Sequence, residues 1–202
     1  MNPDYTGARQ VRVPAITDPR GIDDADLVIL PGSKHVTADL AWLRESGLAA
    51  AVKARAESGG RVLGICGGLQ MLGERLDDPA GVDGSGVGLG LLPVVTTFAT
   101  DKVTRHLEVR FRDLPGPWQT LGNLAFAGYE IRHGRTSPPD TVIASGPVLG
   151  VSAHGMLESP EVLSSLFGTS PTCSLDDVFD ALADAVETHL DTHRLDELAG
   201  MG

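Results

Sequence analysis

The stretch VLGICGGLQML, residues 62–72, decides the fold. An apolar run typical of a buried strand ends at a cysteine between glycines, and a helix-like sequence follows directly. This pattern is the Gly-x-nucleophile-x-Gly turn between a strand and a helix, with Cys66 as the nucleophile. So tight a turn leaves little room for side chains at Gly64, Gly67 and Gly68. Because Cys66 would stand at a helix N-terminus, we expect its thiolate to be favoured.

An isolated GxCxG match is equally consistent with a structural cysteine beside a glycine-rich turn. The strand before it and the helix after it favour the catalytic interpretation of Cys66. The other cysteine, Cys173, lies in SPTCSL without such a context, and we interpret it as structural. Two cysteines in a chain of this length do not make a disulfide scaffold, so both are expected to be reduced.

Short apolar runs alternate with helix-like segments on the N-terminal side of this turn. Strands are predicted at Val11–Ile16, Asp26–Leu30 and Arg61–Cys66, and a helical region spans residues 37–58 with a break at Gly47. Apolar runs of this kind suit strands that helices cover on both faces. The alternation therefore predicts an α/β fold of three layers, α/β/α, with a mostly parallel central sheet.

The rest of the chain predicts additional strands and two further helices. Residues 69–76 continue the helix after the cysteine, and residues 77–112 contain glycine-rich, β-like runs that indicate extra strands or hairpins. Ser159 followed by Pro160 predicts the start of a short helix. Ser174 is predicted to cap a long amphipathic helix near the C-terminus.

Composition limits the function classes. The formal net charge of −11, with no basic patch, argues against binding to nucleic acid or to anionic lipid. No apolar run reaches the roughly 18 residues that span a bilayer, and the first residues lack the order of a signal peptide. We expect a soluble, cytoplasmic protein with a single domain spanning residues 1–202.

A cysteine nucleophile needs a base, and His154 is the best-placed histidine. It follows the strand-like VLGVSA and precedes Gly155, so it would project from the carboxyl edge of the sheet, where Cys66 also lies. His189 and His193 are four residues apart on the last predicted helix, but no acidic ligand completes a set there. We interpret them as part of a solvated helix face, and no metal site is predicted.

Four stretches of the chain resemble the cobyric acid synthase family, and the resemblance covers nearly the whole chain in the family's order. It implies the C-terminal class I, or triad-type, glutamine amidotransferase domain, whose three-layer α/β/α fold is flavodoxin-like. Such a domain hydrolyses glutamine to glutamate and ammonia, here for ATP-dependent amidation of corrin-ring carboxylates in cobalamin biosynthesis. The stretches are LPGSKHVTADLAWLR (30–44), VLGICGGLQMLG (62–73), GLGLLPVVTTF (88–98) and GYEIRHGRT (128–136).

The resemblance also implies roles for individual residues. The nucleophile would be Cys66 and the general base His154. The turn at Gly32 and Ser33 would form the oxyanion hole together with the backbone N–H of Gly67. Gln70 would lie beside the substrate glutamine. Two backbone donors aimed at a developing oxyanion fit the chemistry of amide attack.

Several positions depart from the family pattern. Many triad-type relatives have glutamate two residues after the histidine, where this chain has Met156; Glu158 lies two residues further on and stays unassigned. We therefore expect a catalytic dyad. Leu69 stands where the family has tyrosine. Arg132 takes the place of the family's histidine, and His133 lies beside it. Two interpretations of this pair are equally consistent with the sequence: a role at the ammonia exit or the partner interface, or a polar strand end.

No G-x-x-x-x-G-K-[ST] phosphate loop is present, so no cofactor is expected in this chain. ATP and Mg²⁺ would bind an ATP-dependent synthetase domain or subunit, the partner that accepts ammonia. Three alternatives remain open. The same glutaminase chemistry could serve cobyrinic acid a,c-diamide synthase or amidation of a lipid-linked cell-wall precursor. The chain could be a cysteine hydrolase or peptidase of related fold, or a non-catalytic copy that regulates a synthetase.

Overall fold

The strands of this protein form two four-stranded sheets in the part of the chain that the structure describes. The structure is a computed structural model, and it describes residues 11–169, 175–191, 194, 197, 198 and 200. The strand order in the first sheet is Leu27–Leu30 (β1), Arg61–Ile65 (β2), Val148–Val151 (β8) and Val142–Ser145 (β7). The order in the second sheet is Gly86–Val87 (β4), Arg75–Asp77 (β3), Val95–Arg110 (β5) and Ala125–Ser137 (β6). The first sheet has the geometry of an open α/β fold, and the second sheet is added to it.

The first sheet consists of β1 (Leu27–Leu30), β2 (Arg61–Ile65), β7 (Val142–Ser145) and β8 (Val148–Val151). Strands β1, β2 and β8 run parallel, and β7 pairs antiparallel with β8 at the edge. The prediction of a mostly parallel central sheet is confirmed for this sheet. Its strands are short and apolar because helices or loops cover both faces.

Three helices cover one face of the first sheet: α1 (Val36–Glu45), α2 (Leu48–Glu57) and α3 (Gly67–Leu72). Their buried side chains join one hydrophobic cluster with the β2 and β8 residues that point the same way. Gly47 separates α1 from α2 with a left-handed φ of 79°, a conformation that costs glycine little. The predicted break at this position is confirmed.

The opposite face is covered by α4 (Pro160–Phe167) and the 3-10 helix Gly116–Leu121, which share a second hydrophobic cluster with the sheet. Ser159 caps α4 by accepting a hydrogen bond from the Val162 N–H at 3.4 Å, as predicted. With helices on both faces, the three-layer α/β/α arrangement is confirmed. Helix α5 (Leu175–His189) follows, and its predicted cap Ser174 lies outside the described residues.

The second sheet is built from β3 (Arg75–Asp77), β4 (Gly86–Val87), β5 (Val95–Arg110) and β6 (Ala125–Ser137). Strands β5 and β6 form a long antiparallel hairpin whose register shifts between residues 98 and 103, and β3 runs parallel to β5. The predicted extra strands and hairpins are therefore confirmed. Among the described residues, no helix is long and apolar enough to cross a membrane.

Two local predictions are wrong. Residues 11–16 form no strand, and the side chains of Val11 and Val13 are 39% and 77% exposed; Pro14 also has no N–H for a strand ladder. The helix predicted over residues 69–76 ends at Leu72. Its next residues pass into β3, because pairing with β5 and β4 supplies their backbone hydrogen bonds instead.

Candidate active site

Cys66 lies on the turn between β2 and α3 in a strained backbone conformation. Its φ is 50° and its ψ is −104°, a combination that residues with a side chain rarely adopt. Its N–H donates to the Val151 carbonyl of β8 at 2.8 Å, which holds the turn against the sheet. The side chain is buried, with 6% exposed. The predicted nucleophile turn is therefore present in the fold.

The glycines around Cys66 are closely surrounded by backbone. A Cβ added to Gly67 would lie 2.6 Å from the Ser33 nitrogen, and one added to Gly68 would lie 2.7 Å from the Leu30 carbonyl carbon. At Gly64, a Cβ would approach a leucine side chain of α3 to 2.5 Å. Backbone atoms cannot give way as a flexible side chain can. The expectation that these positions need glycine is confirmed.

His154 is held by both sheets. It follows β8, and its N–H donates to the Tyr129 carbonyl of β6 at 2.8 Å while the Tyr129 N–H donates back at 3.2 Å. The two rings stack, with centroids 5.2 Å apart and planes 17° apart. The chain then turns at Gly155, whose φ is 94° and whose Cβ position would be 2.8 Å from the Ala127 carbonyl oxygen. These contacts fix the direction of the imidazole.

The two side chains meet beside Gly32. A Cβ added to Gly32 would lie 3.0 Å from Cε1 of His154 and 3.9 Å from Cβ of Cys66. Both side chains thus border the same small space at the carboxyl ends of β1, β2 and β8. In the described part of the chain, no carboxylate bonds to the His154 ring. Met156 is buried and Glu158 is exposed, so neither completes a triad.

The turn that carries Gly32 is fixed by its neighbour Ser33. The Ser33 hydroxyl donates to Oδ2 of Asp39 at 2.5 Å and accepts a hydrogen bond from the His35 N–H at 3.0 Å. Its backbone nitrogen faces Gly67 closely, as the spacing above shows. The two backbone segments predicted to form an oxyanion hole therefore lie side by side next to Cys66.

Gln70 stands on the first turn of α3, where its N–H donates to the Cys66 carbonyl at 3.2 Å. The residue is buried, and its side-chain amide packs on the backbone of Gly134 in β6. The structure therefore gathers all six residues that the sequence singles out around one point. They come from the carboxyl ends of three strands, β1, β2 and β8, and from α3: Gly32, Ser33, Cys66, Gly67, Gln70 and His154.

Burial of the Cys66 side chain opposes the thiolate that its position at a helix N-terminus favours. Burial raises the pKa of the Cys66 thiol, because the charged form loses its hydration. A hydrogen bond from the Gly67 N–H and the positive charge of Arg132 lower this pKa, and the charge of Glu130 raises it again. The pKa stays above its ordinary value, so the resting side chain is a thiol.

Glu130 is a buried charge that the sequence interpretation passed over. No part of its side chain is exposed; Oε1 accepts hydrogen bonds from the Ser152 hydroxyl at 2.7 Å and from Nε of Arg132 at 3.2 Å. Oε2 accepts from Nε of Arg105 at 2.7 Å. Burial acts to raise the pKa of Glu130, but these hydrogen bonds and the two guanidinium charges hold it below its ordinary value. The signal was the period of two in β6, which turns Glu130 inward.

Other candidate residues lie away from this point. Nδ1 of His133 lies 3.1 Å from the Ala99 carbonyl, and His189 is exposed on α5. Cys173 and His193 fall outside the described residues. Within the described ranges, no group of three or more His, Cys, Asp or Glu residues is arranged to hold a metal ion. A pocket of about 450 Å³ along the β5–β6 hairpin includes none of the six predicted residues.

Comparisons with known proteins bear on both the sequence and the fold. The chain is 48% identical to a cobyric acid synthase of Polaromonas sp. (strain JS666 / ATCC BAA-500) over 91% of its length, and 47% identical to that of Polaromonas naphthalenivorans (strain CJ2) over 95%. It spans about two fifths of the length of these relatives, 39% and 43%. The resemblance to cobyric acid synthase is therefore confirmed.

A solved structure described as a glutamine amidotransferase superimposes with a TM-score of 0.53, covering 76% of this chain and 85% of that one. Its sequence identity is 19%, so this likeness supports the fold alone. Residues 5–168 match the family described as the CobB/CobQ-like glutamine amidotransferase domain. Since this match covers most of the chain, the protein belongs to the CobB/CobQ-like glutamine amidotransferase domain family.

Proposed function

We propose that this domain hydrolyses glutamine to glutamate and ammonia, with Cys66 as the nucleophile and His154 as the general base. The observation that carries the proposal is the convergence of these two side chains on Gly32. A nucleophile and a base brought together from separate strand ends form the arrangement on which acyl transfer depends.

The protonation of Cys66 explains why the base is needed. Because burial keeps the side chain as a thiol, its proton must leave when the sulfur attacks. His154 borders the same space and is directed into it by Tyr129. A positioned base of this kind typically contributes about 10²- to 10⁴-fold to the rate.

The backbone beside Cys66 supplies the second requirement, which is stabilisation of negative charge. The amide oxygen of glutamine becomes an oxyanion when sulfur attacks, and the Gly67 N–H at the start of α3 lies next to that point. The Gly32–Ser33 turn packs against the same N–H. Loss of one donor in such a site typically raises the barrier by about 3 kcal/mol.

The reaction then follows in two balanced steps. Sγ of Cys66 bonds to the amide carbon of glutamine, His154 takes the thiol proton, and the C–N bond breaks as His154 returns that proton to the departing ammonia. Water next attacks the glutamyl thioester while His154 accepts a proton from it. The carbon–sulfur bond breaks, glutamate leaves and the proton returns to the thiol.

The ammonia would serve an ATP-dependent amidation of corrin-ring carboxylates. This part of the proposal is supported by the name that both Polaromonas relatives carry, cobyric acid synthase, and by the part of their length that lies beyond this chain. The synthetase that accepts the ammonia would bind ATP and Mg²⁺, and this chain would bind only glutamine. We place the reaction in the cytoplasm, where ATP is present.

The proposal is tested by measuring glutamate release from L-glutamine. Wild-type protein should release glutamate, and Cys66→Ala should lower the rate by about 10³-fold or more, because the variant lacks the sulfur that forms the thioester beside His154. Cys173→Ala is the control and should retain wild-type activity. Equal release by the wild type and Cys66→Ala would remove the proposal.

The acceptor is tested separately by adding the ATP-dependent part of a cobyric acid synthase relative, ATP, Mg²⁺ and a corrin with free carboxylates. Glutamine should then support amide formation with wild-type protein and fail to do so with Cys66→Ala. Added ammonium salt should restore amide formation in both cases. Glutamine hydrolysis without any transfer to the corrin would contradict the acceptor and leave the glutaminase assignment intact.

A further inference from the structure

The loop of residues 78–85, which joins β3 to β4, is held in one shape by its first residue. The Asp78 carboxylate accepts hydrogen bonds from N–H groups further along the loop, and the Asp78 N–H donates to the Ser85 hydroxyl at 2.9 Å. The donors to the carboxylate are Val82, Asp83 and Gly84, at 2.9, 2.8 and 2.7 Å. These hydrogen bonds, that from Val82 most of all, hold the pKa of Asp78 below its ordinary value. The 78–85 loop therefore has a shape that its own hydrogen bonds maintain.

The 78–85 loop supplies the N-terminal cap of α1. The first N–H groups of a helix have no partner within it, and the side chain of His35, which precedes α1, makes no capping hydrogen bond. Oδ2 of Asp83 accepts a hydrogen bond at 2.8 Å from the N–H of Val36, the first helical residue. The Thr37 hydroxyl donates to Oδ1 and to the carbonyl oxygen of Asp83, at 3.1 and 3.0 Å. A carboxylate 47 positions along the chain from Val36 thus lies at the positive end of this helix.

The loop fits closely between α1 and the core. The φ of Gly84 is 135°, and a Cβ added there would lie 3.0 Å from Oγ1 of Thr37. The side chain of Val82 packs against the hydrophobic cluster that also contains Val36. The loop is therefore anchored on one side in the core and on the other side at the first turn of α1.

The first turn of α1 in turn holds the backbone turn that carries Ser33. Only two residues separate Ser33 from Val36, and the Ser33 hydroxyl donates to Asp39 on the first turn of the helix at 2.5 Å. At its other end this backbone turn follows β1, which pairs with β2. A displacement of the first turn of α1 would therefore move the Ser33 nitrogen, which packs against Gly67 next to Cys66.

We propose that Asp83 is a positioning residue for glutamine hydrolysis, because its cap on α1 keeps the Ser33 N–H where the oxyanion forms. This inference rests on the proposed glutaminase function. The hydrogen bonds of Asp83 run to α1 and to Asp78, so it acts on the reacting groups through the helix. The oxyanion exists only after the sulfur has attacked. A misplaced donor therefore weakens stabilisation of the transition state more than it weakens binding of glutamine.

The test measures kcat and KM for glutamate release with the full chain. Asp83→Ala removes both side-chain oxygens of the cap, and Asp83→Asn keeps one acceptor oxygen. The matched control is Ser159→Ala, which removes the cap of α4 on the opposite face of the first sheet. Each alanine variant loses one helix cap, so the two share the same kind of stability loss. Thermal unfolding of each variant sets an assay temperature at which all of them are folded.

We expect kcat to fall about 10-fold or more in Asp83→Ala, because a small misplacement of a group at the reacting centre has a large effect on rate. KM should change by less than about two-fold, since the lost interaction belongs to the transition state. Asp83→Asn should lie between Asp83→Ala and the wild type. Ser159→Ala should keep the wild-type kcat.

A second measurement separates the Ser33 turn from the nucleophile itself. Alkylation of Cys66 by iodoacetamide forms no oxyanion, so its rate should stay at the wild-type value in Asp83→Ala, Asp83→Asn and Ser159→Ala. A rate that falls in Asp83→Ala as far as kcat does would overturn the proposal, because Cys66 would then have moved as well. Mass spectrometry of the Cys66 peptide follows this rate.

The proposal is also overturned by a wild-type kcat in Asp83→Ala, or by an equal fall of kcat in Ser159→Ala. If Asp83→Ala does not fold, Asp83→Asn and Thr37→Val decide instead, since Thr37→Val removes only the hydroxyl that bonds to Asp83. Each should lower kcat about three-fold, and wild-type values in both would overturn the proposal. A wild type that releases no glutamate removes the proposed function as well. Glutamate release by the wild type, matched by the Asp83 variants, removes the positioning role alone.

Discussion

The two sheets of this domain are built from different kinds of side chain. The parallel strands of the first sheet are apolar on both faces, and they carry polar chemistry only at their carboxyl ends. The hairpin of the second sheet alternates buried and exposed residues and places a fully buried carboxylate, Glu130, between two arginines. The difference indicates a division of work: the first sheet fixes the reacting groups, and the second places charge around them.

The largest expected effect tests whether the reacting groups belong to the first sheet. His154→Ala should lower kcat for glutamine hydrolysis by about 10³-fold, which is about 4 kcal/mol in the barrier, because it removes the imidazole that borders the same space as Cys66. Steady-state glutamate release measures it. His133→Ala, a histidine on β6 that bonds to Ala99, is the control and should retain most activity. A larger loss in the control would place the base on the second sheet instead.

The next effect tests the buried charge of the second sheet. Glu130→Ala should lower the free energy of unfolding by about 3 kcal/mol, because it leaves Arg132 half-buried without its partner and removes the link to Ser152. Urea unfolding measures the change. Glu108→Ala, which removes an exposed carboxylate from the same hairpin, should leave the unfolding midpoint unchanged.

The pH dependence of this difference has a defined sign. The pKa of Glu130 is lowered in the folded protein, so its contribution is present above the ordinary glutamate pKa and is lost as pH falls through the folded value. The difference in the free energy of unfolding between the wild type and Glu130→Ala should therefore narrow below about pH 4. A gap that widens in acid would show that Glu130 is neutral in the fold.

A smaller effect compares one glycine from each region. Gly68→Ala should lower the free energy of unfolding by about 2 kcal/mol, because the added Cβ meets the Leu30 backbone of the first sheet. Gly86→Ala in β4 meets nothing within 4 Å and should be close to neutral. Thermal or urea unfolding of both variants measures the contrast. Equal losses would mean that the turn around Cys66 is no more tightly packed than the second sheet.

The smallest effect concerns the reactivity of Cys66. Because burial raises the pKa of its thiol, the rate of alkylation by iodoacetamide should be several-fold slower at neutral pH than for a free cysteine, and should keep rising above the ordinary cysteine pKa. In the urea-unfolded chain the pH midpoint should return to the ordinary value. A folded midpoint below that value would restore the thiolate that the sequence predicted.

The structural features that the sequence predicted correctly depend on residues that are close together in the chain. The turn around Cys66 could be predicted because tight packing requires glycines at fixed spacing. The break at Gly47 could be predicted because glycine readily adopts the left-handed conformation that ends a helix. The carboxyl-edge position of His154 followed from the direction of a parallel strand. These features are local, or follow from a single rule of α/β architecture.

The rest depends on which distant strand a segment meets. Residues 11–16 have strand-like composition, yet no partner strand pairs with them. Residues 75 and 76 belong to the stretch predicted as helix, yet they pair with β5. The sequence shows the inward direction of Glu130 only through the period of two in β6. Its hydrogen-bond partners Arg105, on β5, and Ser152, just after β8, are distant in the chain and could not be predicted.

The Tyr129–His154 backbone pair has a mechanical consequence. The backbone of Cys66 bonds to the first sheet through Val151, whereas the backbone and ring of His154 contact Tyr129 of the hairpin. A shift of the hairpin relative to the first sheet would move the imidazole with it. The separation between the Cys66 sulfur and the His154 ring therefore depends on how the two sheets pack together.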